Sequence, residues 1–406
     1  MRTALVVAAV ALAALGASAQ DAGVTDTRVL LGQPAAFSGP SAGLGVEFWR
    51  GANAAFEAFN EAGGVHGRRV ELALADDAYD AEKAAAAVRR LATEDRVFAL
   101  FGGVGTPTIV RALPVVLELQ KKEGLFYFAN FTGAQPQREP PYDVAVFNVR
   151  ASYRQETETI VARLVGQGRR KIGVFVQDDA YGQSGRDGVQ RALKARGLEL
   201  AGDATYPRGQ TWDVSTAAQV AALKAAGVEA VVAVGAYQAC AAFVRDARGA
   251  GLAVPIFNVS FVGADQMLAL LRGEEKRSGR SLTTELFNTQ VVPSYLDGRV
   301  PIVQSYRAAM DRHAQALPKA GDGSYRPQGR YSFGSLEGYA SARAFLWVLS
   351  KTGRELTRKA FYGTAEATGA FDIGLGTPLQ FGPGRHQALD KVWLTHVTDA
   401  GWATLN

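Results

Sequence analysis

Two hydrophobic rhythms alternate along the chain. Short, nearly continuous apolar runs at Val29–Phe37, Val70–Leu74, Val97–Phe101, Leu125–Ala129 and Val144–Val149 read as strands buried on both faces. Between the first four, apolar positions spaced by three and four residues predict helices over Val46–Ala62, Ala81–Ala92 and Ile109–Gln120. Arg150 to Tyr153 connects to a helix over Gln155–Val165, and the rhythm then restarts. Strands Lys171–Val176, Glu199–Tyr206, Ala230–Val234 and Ile256–Val259 alternate with helices Gly185–Ala195, Val214–Ala226 and Gln238–Arg248. Strand Leu286–Val292 ends at Pro293. Helices over Pro301–Gln315 and Leu336–Leu349 read as additions to the first unit, and Pro318–Tyr331 as a surface loop. Pro378–Phe381 and Lys391–Val397 are expected to form an antiparallel pair returning to the second unit. Alternation at crossover spacing predicts an α/β fold of two parallel sheets, each covered by helices on both faces, with the boundary near Arg150.

Ligands of such sheets bind beyond the carboxyl ends of the strands. The stretch Gly102 to Thr108 stands at such an end, and its glycines allow a sharp turn. Thr106 is expected as the helix cap with Pro107 at the first helical position. The N–H groups and dipole of that helix start favour a small anion. Asp80 and Asp213 are expected to cap the helices that follow them. Tyr181 and Tyr237 follow strands and are expected to project into a cleft between the units. Asp179 and Glu337 read as structural or hinge residues.

Composition narrows the classes. The 406 residues are too many for one ordinary core, so two domains are expected. The net charge of +5 is spread over scattered basic residues and forms no stripe with interleaved aromatics, so nucleic acid is not an expected partner. Arg2, the apolar stretch Ala4–Leu15 and Ala17-Ser18-Ala19 have the pattern of a secretory signal cleaved after Ala19. This implies an exported protein that begins at Gln20. No Cys lies near that cleavage site, which argues against a lipid anchor. The single Cys240 sits in an alanine-rich helix as a small apolar residue and excludes an internal disulfide.

The chemistry of catalysis is sparse. Gly39-Pro40-Ser41-Ala42-Gly43 matches G-x-S-x-G, with His386 and His396 downstream, as in an exported α/β-hydrolase. That elbow needs a helix directly after the serine, whereas Gly43-Leu44-Gly45 is expected to delay it. The four histidines, His66, His313, His386 and His396, lack metal-ligand spacing, and no cofactor fingerprint is present. No cofactor and no enzymatic activity are expected.

One set of segments resembles a known family over nearly the whole chain. They are Phe37-Ser38-Gly39-Pro40, Gly51-Ala52, Asn60-Glu61-Ala62-Gly63-Gly64-Val65-His66-Gly67-Arg68, Asp76-Asp77, Asp178, Tyr181-Gly182, Gly235-Ala236-Tyr237, Ala247-Arg248-Gly249-Ala250-Gly251-Leu252 and Glu337-Gly338-Tyr339. In this order they are similar to the type I periplasmic binding proteins, and among these to the branched-chain (hydrophobic) amino-acid substrate-binding subunits of ABC transporters. The resemblance implies two Rossmann-like lobes joined by three crossovers: residues 20–149 with 293–368, and 150–292 with 369–406. It implies a periplasmic monomer that closes on a small molecule and delivers it to an inner-membrane ABC permease and its ATPase. A ligand-sensing module for a membrane receptor is the alternative. The family's carboxylate-holding positions fall here on Gly105, Thr106, Phe131 and Thr132, its closing aromatics on Tyr181 and Tyr237, and a side-chain wall on Phe333. A tyrosine common in the first loop of amino-acid binders is Leu44 here, and the acid expected to meet an ammonium falls near the uncharged Ser260. With no acid there, a carboxylate with an apolar or aromatic body and no ammonium suits these residues better than an amino acid. Arg150 could hold that carboxylate or stand in a surface or interlobe ion pair.

Overall fold

The computed structural model describes residues 21–314 and 316–405. The expected signal segment and its cleavage site therefore lie outside the described residues. So does Gln315, the expected end of one helix.

The first sheet contains β1 (Arg28–Ala35), β2 (Arg69–Asp76), β3 (Ala99–Phe101), β4 (Tyr127–Phe128) and β5 (Val146–Phe147). All five run parallel, in the order β2-β1-β3-β4-β5. Helices α1 (Ala42–Glu61), α2 (Ala81–Thr93) and α3 (Thr106–Glu123) connect its first four strands. The second sheet is built from β6 (Ile172–Gln177), β7 (Gly202–Tyr206), β8 (Ala230–Val234), β9 (Ile256–Asn258) and β10 (Leu286–Gln290), again parallel. Helices α4 (Tyr153–Gly166), α5 (Ala180–Lys194), α6 (Ala217–Ala225), α7 (Tyr237–Gly249) and α8 (Ala264–Ser278) accompany it. Then α9 (Pro301–His313), α10 (Phe333–Lys351) and α11 (Arg358–Ala367) return to the first lobe. Phe345 on α10 and Phe361 on α11 pack on the rings of Phe101, Phe126 and Phe128. The chain passes between the lobes at 148–152, 291–294 and 387–390. The first and third passages run side by side through a bridge between Asn148 and Gln387. This is the expected α/β architecture of two lobes and three crossovers.

The chain's last strands pair differently from the expectation. β11 (Gly369–Phe371) and β12 (Leu379–Phe381) form a separate antiparallel hairpin. Phe381 packs on Phe128 and Phe147, so the aromatic side of this hairpin belongs with the first lobe. β13 (Trp393–Thr398) instead joins β10 antiparallel and is followed by β14 (Gly401–Thr404), which extends the second sheet to seven strands.

Three local expectations also change. Gly105, not Thr106, occupies the N-cap of α3, because it takes φ 105°. Thr106 and Pro107 are the first two helical residues, and the Thr106 hydroxyl is free to bond elsewhere. Asp213 binds the Thr211 hydroxyl, while α6 starts later, after Thr216. Asp80 does cap α2, accepting the Lys83 N–H at 2.9 Å. Finally, α1 begins directly after Ser41, with no delay at Gly43 to Gly45. His386 nevertheless bonds the Asp143 carbonyl and Glu366, and no histidine hydrogen-bonds Ser41 among the described residues.

Candidate functional site

The strand ends of the two sheets meet in one buried group. From the first lobe come Thr106, at the start of α3, and Phe131 and Thr132, which follow β4. The Thr106 and Thr132 hydroxyls bond each other at 2.7 Å, and Thr132 Oγ1 lies 3.5 Å from the Tyr153 hydroxyl. The first N–H groups of α3 have no intrahelical acceptor, so this corner combines hydroxyls with the positive end of a helix. Phe131 stacks on Phe48 at 5.0 Å and meets Phe261 of the second lobe edge-on at 5.0 Å. Tyr181 meets Phe261 at 5.1 Å and Tyr153 at 5.3 Å. The rings of both lobes thus close around the hydroxyl corner.

Tyr79 completes the group and was not visible in the sequence pattern. It stacks on Phe261 at 6.4 Å. A Cβ at Gly105 would stand 2.3 Å from Tyr79 Cε2. The missing side chain at Gly105 is therefore the space that the Tyr79 ring fills. Burial pushes the hydroxyls of Tyr79 and Tyr181 well above the usual tyrosine range, so both stay neutral.

Arg150 lies at the first crossover and is 2% exposed. Its guanidinium sits over the rings of Phe131 and Tyr153 at 5.5 and 5.7 Å. Nη2 donates to Glu156 Oε1 at 2.9 Å and also reaches the Ser260 hydroxyl. Nη1 lies 3.2 Å from Glu337 Oε1 as an ion pair. The position near Ser260 that carries no acid is thus surrounded by two, Glu156 from α4 and Glu337 from α10. Burial works against the Arg150 charge, but Glu337 and Glu156 hold its pKa above the usual arginine value. Burial pushes Glu337 up to about 7, against the pull of Arg150 and with a further push from Glu156. Close helix crossing places Glu337: a Cβ at Gly338 would stand 2.0 Å from the Phe48 carbonyl oxygen, so only glycine lets α10 seat this tightly on α1. Nearby, burial and then Arg150 lower Arg138 to about 9; its guanidinium bonds the carbonyls of Ala134 and Arg150 and the Gln387 side chain.

Gly105, Thr106, Phe131, Thr132, Arg150, Tyr181 and Ser260 therefore come together as one site. Tyr237 and Phe333 do not join that aromatic group. The Tyr237 hydroxyl lies against Gly43, 3.2 Å from where a Cβ would be, and its ring borders Gly263. Phe333 packs on Tyr295 at 5.0 Å, and its N–H donates to Asp265 at 2.8 Å. Asp179 caps α5 through the Tyr181 N–H, the structural role expected of it. The loop Pro318–Tyr331 is largely exposed, but Tyr325 turns inward and links Glu47 to Gln266 across the lobes, at 3.0 Å each. Gln238 Nε2 also crosses, donating to the Pro40 carbonyl at 3.0 Å. The lobes are closed on each other. Among the described residues no cluster of His, Cys, Asp and Glu suits a metal ion, and no helix is long and apolar enough to cross a membrane.

Comparison with known proteins agrees with this arrangement. A family profile described as periplasmic binding protein matches residues 28–401. An amino acid binding protein of Pseudomonas aeruginosa is 26% identical over 319 residues, 77% of this chain and 78% of its own. A Leu/Ile/Val-binding protein homolog 7 of Brucella melitensis is 31% identical over 233 residues, 55% of each chain. The crystal structure of a possible leucine/isoleucine/valine-binding protein from Rhodopirellula baltica SH 1 superposes with TM-score 0.81 at 31% identity, covering 96% of this chain and 98% of that one.

Proposed function

The chain belongs to the periplasmic binding protein family, and from that premise we propose that it is the solute-binding subunit of an ABC importer. It captures a small amino acid or another carboxylate-bearing apolar or aromatic molecule between its lobes and performs no chemistry on it. The observation that carries this reading is the enclosed corner of Thr106, Thr132 and the α3 N-terminus, walled by rings from both lobes. A carboxylate suits the hydroxyls and N–H groups, and an apolar body suits the rings. Closure excludes water and strengthens each polar contact inside. The names of the relatives point toward amino acids. The permease, its ATPase and the periplasmic location are inferred from the family.

Deletion of the gene tests the transport role. Uptake of the bound solute should fall in the deletion strain and return with the wild-type copy. Unchanged uptake with a lost response to the solute would overturn transport in favour of a sensing module.

A further inference from the structure

The two acids beside Ser260 are not equivalent. Glu156 is saturated: it accepts the Ser260 N–H at 2.7 Å, the Ser260 hydroxyl at 2.9 Å, the Thr289 hydroxyl and Arg150 Nη2. It organises the second lobe's strand ends. Glu337 is 6% exposed, yet among the described residues no hydrogen bond reaches its carboxylate. The one ion pair it makes, with Arg150 Nη1, is not a hydrogen bond. Arg150 Nε is likewise buried without a partner. A buried carboxylate and a buried guanidinium both retain unused capacity at the same place.

The hydroxyl corner and the Arg150–Glu337 pair border the same ring, Tyr153, so one small solute can touch both. An ammonium supplies three donors to the one acid that has none.

We propose that Glu337 receives the ammonium group of an α-amino acid ligand, in place of an acid at Ser260. The proposal rests on the reading that this cleft binds a small carboxylate-bearing solute, and it narrows the class to amino acids with apolar or aromatic side chains.

Calorimetric titration of the wild type and Glu337→Gln tests it, with leucine and phenylalanine beside 4-methylpentanoate and 3-phenylpropanoate, the same bodies without the amino group. The wild type should bind an amino acid more tightly than its des-amino partner. Glu337→Gln should weaken the amino acid at least 30-fold and change the des-amino acid less than threefold. Equal weakening of both would overturn the proposal, because Glu337 would then act only as a lobe-joining group. Wild-type preference for the des-amino acids would overturn it and leave the solute-binding reading standing. Binding of neither class by the wild type would remove both. If Glu337→Gln does not fold, Glu337→Asp keeps the charge but retracts it, and should weaken only the amino acid.

Discussion

Near the start of α1, Glu47 and Arg50 form a buried pair; at the crossover between the lobes, Arg150 meets Glu156 and Glu337. Both arginines leave Nε without a partner, so the contrast lies in the carboxylates. Glu47 accepts Arg50 Nη1 on both oxygens at 2.9 Å, and the hydroxyls of Tyr325 and Ser332 as well. Glu337 accepts no hydrogen bond among the described residues. In the first pair the carboxylate is satisfied by the protein itself and fastens α1 to the 325–332 segment. The second has an acid left over, at the place where the two lobes meet. Burial of charge therefore does not separate the two pairs; the carboxylate left without a hydrogen bond does.

Removing the central cation should have the largest effect. Arg150→Met leaves Glu156 and Glu337 buried without compensation and should lower stability by about 3–5 kcal/mol in urea unfolding. A loss no greater than that of an exposed arginine would mean that the crossover charges are already screened.

The pH dependence of stability should show the next largest effect. Glu337 rises to about 7 in the folded protein from 4.5, so between these values the folded state holds the extra proton. Stability is then present at low pH and is lost as pH rises from about 4.5 to 7, by on the order of 2–3 kcal/mol. Arg150, Arg138 and Glu156 are the charged groups that face it. Glu337→Gln should remove this part of the slope, leaving the same-signed contributions of Asp265, raised to about 6, and Asp77, raised to about 8. Unfolding curves at pH 5, 6.5 and 8 measure it; an unchanged slope in the variant would contradict the assignment.

Glu47→Gln should cost about 2 kcal/mol, because Arg50 loses its charged acceptor. It should leave the affinity for any solute within a few-fold, whereas Glu337→Gln should do the reverse. Equal effects on affinity would erase the distinction between the pairs. The smallest change is expected from Tyr181→Phe: its hydroxyl makes one long contact, 3.5 Å to the Gly235 carbonyl, so stability should move by less than about 1 kcal/mol while the ring keeps its place. A larger loss in thermal melting would show that the hydroxyl has a further role.

The two sheets were legible because buried parallel strands leave apolar runs that helices punctuate. The pairing of the last strands was not. An alternating run states that a residue is in a strand but not which neighbour it meets, and Phe381 chose the rings of the first lobe. Position 105 shows a second limit. Thr106 has the composition of a cap, yet Gly105 with positive φ takes that place and frees the threonine for Thr132. The gap left by Gly105 is filled by Tyr79, from a loop whose turn gives no signal in the pattern. Ser260 shows a third. An uncharged residue there reads as a site without an acid, but Glu156 and Glu337 reach the same point from helices far away in the chain. Local spacing cannot announce such a meeting; only the Gly338 crossing against Phe48 brings α10 near enough.

A thermal-shift screen of residues 20–406 shows whether the closing cleft binds a small carboxylate-bearing solute. The panel holds leucine, valine and phenylalanine with their des-amino counterparts. A true ligand at a hundred times its dissociation constant should stabilise the protein by about 2.7 kcal/mol, and such a shift is expected with at least one amino acid. No shift with any member of the panel at millimolar concentration would contradict it.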